Sequence, residues 1–167
     1  MLDDPAPPEL LAAMERQLRA HDVCDARGLR LRIPAPDEAP RAVVGRVCDP
    51  GPLVRSELAV GLGATDRVVR GLGAAAVLCR AERALLAVHA GHPDALAAAR
   101  REARGTRVEV VPLPPRSPLD PPSLIADVAQ LRGTTPVRAG LERAWVLDAL
   151  ELRDLALALE GRNPLRR

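Results

Sequence analysis

Lysine is absent from this chain, as are phenylalanine and tyrosine, and Trp145 is its whole aromatic complement. Without lysine there can be no Schiff base on an amine side chain and no phosphate-loop lysine. Without aromatic faces, stacking platforms for bases or flavin rings are nearly excluded, and the core must be built from Leu, Val and Ala. Cysteine is scarce: Cys24, Cys48 and Cys79 are odd in number and far apart, which argues against a disulfide framework and for a reducing cytoplasm. No apolar run approaches the roughly 18 residues of a membrane span. The acidic, Pro-rich N-terminus differs from the basic start and apolar middle of a signal peptide. Basic and acidic residues nearly balance, 24 against 22, and the only basic clusters are Arg100–Arg101 and the Arg166–Arg167 tail. A nucleic-acid-binding face would need a far denser basic patch, so no nucleic-acid partner is expected. Gly-x-Ser-x-Gly, His-Glu-x-x-His and Cys-x-x-Cys are all missing.

What is present is an alternation of strand and helix. Ala42–Val47, Ala84–His89 and Arg107–Leu113 are short apolar runs; between them lie Thr65–Arg80, with apolar residues at helical spacing, and the Ala-rich Pro93–Arg104. Strands separated by helices of this length require crossover connections and a parallel sheet. The fold class predicted is α/β, a three-layer sandwich with a mainly parallel sheet in a single domain, and 167 residues suffice for its core. Residues 1–41 read as an N-terminal helix, an edge strand and a linker; 42–160 as the α/β domain; 161–167 as a tail. Within the first part, Pro8–Asp22 is an amphipathic helix with Leu10, Leu11, Met14 and Leu18 on one face and Pro8 at its first position. Gly28–Pro34 alternates as a half-exposed edge strand, and Pro34–Pro40 is the linker. After the third strand, Pro112–Pro122 carries six prolines and is either a stiff docking segment or a connector. Ser123–Arg132 reads as a helix, Ala144–Leu147 as a fourth core strand, and Leu150–Leu159 as a last helix stopped by Gly161 and Pro164.

Parallel sheets bind ligands at the carboxyl ends of their strands, so the loops after Val47, His89 and Leu113 are the places to search. His89-Ala-Gly-His92-Pro-Asp94 follows the second strand. Its two histidines and Asp94 are either part of a metal site lacking a third good ligand nearby, or a structural turn in which Asp94 favours the next helix through its dipole. Val47-Cys48-Asp49-Pro50-Gly51-Pro52 follows the first strand. Cys48 would need a base or a helix N-terminus to become a nucleophile, and Asp49 either accepts from a ligand or starts a turn. Cys79, on an apolar helix face, reads as core. Gly61-Leu-Gly63 and Gly71-Leu-Gly73 do not follow strands in a dinucleotide pattern and read as close helix packing.

The run Val43-Val-Gly-Arg-Val-Cys48-Asp49-Pro50-Gly51, then Val68-Val-Arg-Gly71-Leu, Leu85–Leu96 and Val108-Glu-Val-Val-Pro-Leu-Pro resembles the α/β domain of a redox family. It is similar to the NADH- and FMN-binding flavoprotein subunit of respiratory complex I and to the related Rnf C subunit, over roughly residues 42–160. Asp49 stands where that family has an acidic residue before Pro. Asp148-Ala-Leu-Glu151 stands where it has Asn-x-x-Thr, and Arg116-Ser-Pro118 where it has an aromatic residue and Pro. Several family features have no counterpart: the Gly-rich flavin loop, the iron–sulfur cysteine cluster, and the Gly-Gly replaced here by Asp120-Pro121. Gly91 and His92 occupy the loop where an acidic residue is expected. The resemblance therefore implies a reduced relative, with Asp49 and Asp148 the surviving cofactor-binding positions. Its implied role is an accessory or degenerate domain of an NADH dehydrogenase-like flavin and iron–sulfur system, docking to redox partner subunits in the cytoplasm and holding no cofactor. Two alternatives stand beside it: an FMN- or NAD(H)-binding oxidoreductase with an altered site, and an unrelated doubly wound small-ligand binder. Asp49 and the Pro112–Pro122 loop would border the docking surface. Trp145 is either its anchor or a core residue.

Overall fold

The computed structural model describes residues 6–21, 23–24, 30–35, 38–48, 56–114 and 144–164. Its strands are β1 (Ala42–Val47), β2 (Arg83–His89), β3 (Val108–Leu113) and β4 (Ala144–Asp148). Its helices are α1 (Pro8–Ala20), α2 (Ser56–Gly63), α3 (Thr65–Leu78), α4 (Pro93–Glu102) and α5 (Ala149–Leu159). The strands form one all-parallel sheet in the order β3-β2-β1-β4. The chain winds from β1 through β2 to β3 in one direction, then places β4 on the far side of β1. The order reverses between β1 and β4, which defines the topological switch point of this sheet. The register aligns the carboxyl ends, with Val47 opposite Val88, Arg46 opposite Asp148, and His89 opposite Leu113.

β1 and β2 are buried on both faces, as near-continuous apolar runs in a parallel sheet should be. Period-two alternation splits their side chains into two clusters. On one face Val43, Val47, Leu86, Val88, Val108 and Leu147 meet side chains from all five helices. On the other, Ala42, Val44, Cys48, Leu85, Ala87 and Leu113 form a smaller cluster of strand and strand-end residues. The described residues thus supply the sheet and one helix layer of the α/β domain. The largest fully buried side chains are Leu and Val, including Leu72, Leu85, Leu86, Leu152 and Leu155, as a chain so poor in aromatics requires.

Gly71 is the reason α3 and α5 lie so close. A Cβ there would overlap the backbone carbonyl of Leu152, and one at Gly45 would come within 2.6 Å of the Leu152 side chain. The expectation of close packing therefore holds for Gly71, and for Gly61, where a Cβ would strike Val47. It fails for Gly63 and Gly73, which face open space. Both ends that follow the main helices are closed by Schellman-type bonds. Arg162 N–H donates to Leu157 O (2.9 Å) with Gly161 at φ 74°, so Gly161 is the predicted stop. At α3 the same turn is made by Arg80 at φ 54°, with Ala81 N–H donating to Ala76 O (2.9 Å).

Two expectations need correction, and one helix was not among them. Gly28–Pro34 is no edge strand among its described residues: Arg30 makes one isolated antiparallel bridge to Cys24, and β3 and β4 edge the sheet. The segment is held instead by Leu31 N–H donating to Val23 O (2.8 Å), with Leu31 and Ile33 packed against the helix-side core. Leu10 does not join Leu11 and Leu18 in the core but is 48% exposed, lying about 100° around the helix from Leu11. The helix α2 was not anticipated; two glycines in eight residues give it a poor intrinsic propensity. The Ser123–Arg132 helix, most of the Pro112–Pro122 loop and Asp49 lie outside the described residues.

Candidate functional site at the carboxyl edge

The carboxyl ends of β1 and β4 flank the switch point, and charged side chains collect there that would ordinarily stay in water. Glu57, Asp148 and Glu151 are 5%, 6% and 9% exposed. Each is fixed by the local chain. The last turn of β1 turns Arg46 toward Glu57 at the start of α2, where the ion pair closes to 3.2 Å. The other Glu57 oxygen accepts from Cys48 N–H at 3.3 Å, so one carboxylate ties α2 to two successive positions at the end of β1. Four residues on, Gly61 lies against Val47, and Thr65 Oγ1 donates to the Gly61 carbonyl. Thus α2 sits over the end of β1 through one polar and one apolar contact.

At β4 the strand runs straight into α5. Asp148 is the N-cap, and its Oδ1 accepts from Glu151 N–H at 2.8 Å. Glu151 Oε2 reaches back to accept from Asp148 N–H at 2.7 Å. This reciprocal capping box satisfies two donors that a helix start would otherwise leave free. Asp-x-x-Glu ahead of an apolar run is a capping signature, so this arrangement was readable in the sequence; the burial of the pair was not.

The His89 turn has a different construction. His89 Nδ1 accepts from Gly91 N–H at 3.1 Å, so the lone pair on that nitrogen is used within the turn. The His89 and His92 rings are tilted, with centroids 5.2 Å apart. Partial burial, and secondarily the neighbouring His92, lower the His89 pKa from its ordinary value. Asp94 is exposed in the first turn of α4, where a carboxylate complements the helix dipole. Among the described residues no three His, Cys, Asp or Glu side chains are grouped to hold a metal ion. Cys79 is buried in the helix-side core, and desolvation pushes its thiol up to about 12. Trp145 is half-buried against the same core and lines a cavity of about 550 Å³ with Arg32, Pro34, Glu38 and Pro40, at the opposite end of β4.

A flavin or nicotinamide nucleotide would bring phosphate to this edge, so the fit can be judged from the donor set. Three buried carboxylates surround the switch point, and Arg46 is already paired with one of them. The start of α5, a potential anion seat by its dipole, holds its own chain's carboxylates. The described residues do not fit a phosphate there.

The sequence matches no protein-family profile and no curated protein. Two crystal structures of NAD+-reducing NiFe-hydrogenase share its fold. The air-oxidised form superposes with a TM-score of 0.67 at 16% identity, covering 90% of this chain and 30% of that one. The H2-reduced form gives a TM-score of 0.57 at 17% identity, covering 90% and 27%. The chain therefore spans less than a third of the hydrogenase chains it resembles. No described helix is long and apolar enough to cross a membrane.

Proposed function

We propose that this chain is an accessory domain of a flavin and iron–sulfur electron-transfer system of the NADH dehydrogenase kind, working by docking to redox partner subunits. The observation that carries the reading is the likeness to the NAD+-reducing hydrogenase over 90% of the chain. The sequence resemblance to the complex I flavoprotein subunit and Rnf C points to the same class of machinery. Catalysis by the chain on its own has little support among the described residues. Cys79 is held as a neutral thiol, the His89 ring is tied into its own turn, and the edge carboxylates are engaged by Arg46 and backbone N–H groups. The docking surface is assigned to the carboxyl edge, with Asp49 and the Pro112–Pro122 loop as its borders. The setting is cytoplasmic, as the separated cysteines suggest.

The test is affinity capture of the full chain from its native host, wild type beside Asp49→Ala and a variant with residues 115–122 replaced by a Gly-Ser linker. Recovery of flavin or iron–sulfur subunits by wild type, reduced in the folded variants, supports the reading. Equal recovery by all three displaces the surface. Turnover of NADH by the purified chain, with no partner captured, favours the FMN- or NAD(H)-binding oxidoreductase instead.

A further inference from the structure

We propose that the amino edge of the sheet, at β2 and β3, is an arginine-rich face that docks an acidic surface of a partner protein. Its members are scattered in the sequence, and the topology gathers them. Arg41, Arg83 and Arg107 stand at or just before the starts of β1, β2 and β3. The register sets Ala42 beside Arg83 and Ala84 beside Val108, so the three arginines form a row. Arg80 lies in the turn between α3 and β2; Arg100 and Arg101 are in the last turn of α4, and Arg104 lies in the turn leading to Arg107. Neighbouring strands are about 5 Å apart and three residues of chain reach at most about 10 Å, so each arginine has another within about 10 Å along the backbone surface. The edge also holds Glu82, Glu102 and Glu109, engaged by Arg41 (3.4 Å), Arg101 (2.9 Å) and Arg83 (2.8 Å). Seven arginines against three glutamates leave four positive charges in excess, on a chain whose net charge is +2. Arg80, Arg100, Arg104 and Arg107, which carry the excess, are all exposed.

Two further observations point to use of this face. Arg80 is held at φ 54°, in a turn that glycine would make with less strain. An exposed charge kept at a strained backbone position suits a role for its side chain better than a role in stability. Beside the arginines lies a cavity of about 470 Å³, with Val69, Gly73 and Val108 lining it and Arg107 among its walls. The carboxylates that also line it, Asp66 and Glu102, are paired with Arg70 and Arg101. A Cβ on Gly73 would meet nothing within 4 Å, so the cavity is open above α3. A protein partner can give carboxylates to the guanidinium forks and an apolar side chain to this cavity at once. Nucleic acid suits the face less well: the interleaved glutamates repel phosphate, and Trp145, the sole aromatic, is on β4 at the other side of the sheet. A membrane surface calls for apolar anchors, and the exposed large hydrophobics among the described residues, Leu10 and Leu62, belong to α1 and α2. The inference holds whether or not redox subunits dock at the carboxyl edge.

The test titrates the full chain with a fluorescein-labelled peptide of glutamate interspersed with leucine, read by anisotropy at roughly 50 mM and 200 mM salt. An edge variant replaces Arg100, Arg104 and Arg107 by alanine. A control variant replaces the exposed Arg16, Arg19 and Arg162, changing the net charge equally elsewhere. Expected is saturable wild-type binding that weakens with salt. Loss of three exposed ion pairs, each worth a factor of two to three, should weaken the edge variant about tenfold and leave the control within about twofold. Arg80→Gly should weaken binding by about twofold while folding at least as firmly. Gly73→Leu should remove the preference for the leucine-bearing peptide over pure polyglutamate. Equal losses in the edge and control variants overturn the proposal, as does absence of binding by the wild type. Tighter binding of a single-stranded oligonucleotide or of phosphatidylserine vesicles, lost in the edge variant, overturns the assignment to a protein. Should the edge variant fail to fold, Arg80→Gly and the wild-type amide shifts over residues 100–107 on adding peptide decide. Asp49→Ala should bind the peptide as the wild type does, so a failed capture at the carboxyl edge leaves this result standing.

Discussion

Replacing Gly71 by alanine should separate two effects that act in opposite directions on one helix. Within α3, alanine is the better helix former by about 1 kcal/mol, because glycine loses more backbone freedom on folding. At Gly71 the added Cβ would overlap the carbonyl oxygen of Leu152, and the carbon and Cα of that peptide unit are also within close range. A backbone atom cannot rotate away, so α3 and α5 must part and loosen Leu72, Leu152 and Leu155, each fully buried between them and the sheet. Overpacking of this kind costs roughly 1–3 kcal/mol, and a clash with backbone puts it near the upper end, so a net loss of about 2 kcal/mol remains after the propensity gain. Gly73, two residues along the same helix, meets nothing within 4 Å of a built Cβ. There the propensity term acts unopposed, and Gly73→Ala should stabilise by about 0.5–1 kcal/mol. In urea the two variants should move the midpoint in opposite directions with unchanged slope, about 2.5–3 kcal/mol apart. For a chain of this length that is about 5–12 °C in melting temperature. Equal shifts of the same sign would refute the account of Gly71 as a helix-contact residue.

Arg80 is a non-glycine residue at φ 54° in the turn closing α3, so Arg80→Gly should raise stability by about 1 kcal/mol in the same urea assay. Asp148→Ala removes the N-cap and strands part of a buried network, and should cost about 1–3 kcal/mol, with Asp148→Asn recovering much of it. The depressed His89 pKa means that the folded state favours the neutral ring; the unfolded chain binds the proton first as pH falls. Stability should therefore be fully present above the ordinary histidine pKa and decline as pH drops toward the folded-state value. Melting curves between about pH 7.5 and pH 5 should show this decline, and His89→Asn, which can still accept from Gly91 N–H, should flatten it. Cys79, with its thiol pushed up to about 12, should be alkylated near neutral pH only as fast as the protein unfolds, read by peptide mass spectrometry across a urea series.

The parts of this fold that were legible in the sequence are those set by repetition. β1 and β2 stood out because strands buried on both faces are continuous apolar runs, β3 as a short apolar run although Glu109 and Pro112 are exposed at the sheet edge, and α3 and α4 because their apolar residues recur at helical spacing. Their boundaries came within two residues, and that of β1 at both ends without difference, inside the usual uncertainty at frayed ends. Where a single contact decides, the sequence was mute. Nothing in Ser-Glu-Leu-Ala-Val-Gly-Leu-Gly announces that Glu57 folds back on Arg46 and Cys48, and without that contact α2 has little reason to form. Among the described residues the alternation shows at Leu31 and Ile33, both packed against the core, but it serves a segment beside α1 rather than a strand in the sheet. β1, β2 and β3 were expected as neighbouring strands and are so paired, whereas the place of β4 was inaccessible for the same reason: that it inserts beside β1 depends on nonlocal pairing, and with it the position of the switch point. Asp148 and Glu151 were visible as a pair, yet only the register with Arg46 puts them at the edge where ligands would be sought.

The Arg46–Glu57 pair shows how an edge can keep its architecture and change its chemistry. Glu57's side chain is only 7% exposed and Arg46's 25%, so each surrenders much of its hydration to reach the other. Burial of such a pair often costs as much as the attraction returns, which makes it a weak source of net stability. What it supplies is position. Glu57 bonds both the Arg46 guanidinium and the Cys48 amide, and Gly61 admits Val47 one turn later, so α2 has a single seat over β1. Cutting Glu57 would leave Arg46 unpaired where water enters poorly and would free the helix from its polar attachment. The same edge at β4 is closed by the capping box. Both strands flanking the switch point thus end in bonds made within the chain. A backbone shared with an NAD+-reducing hydrogenase does not by itself carry that enzyme's chemistry, because function resides in the groups at the edge and not in the order of the strands. Among the described residues, those at this edge are engaged by Arg46 and by backbone N–H groups of the same chain.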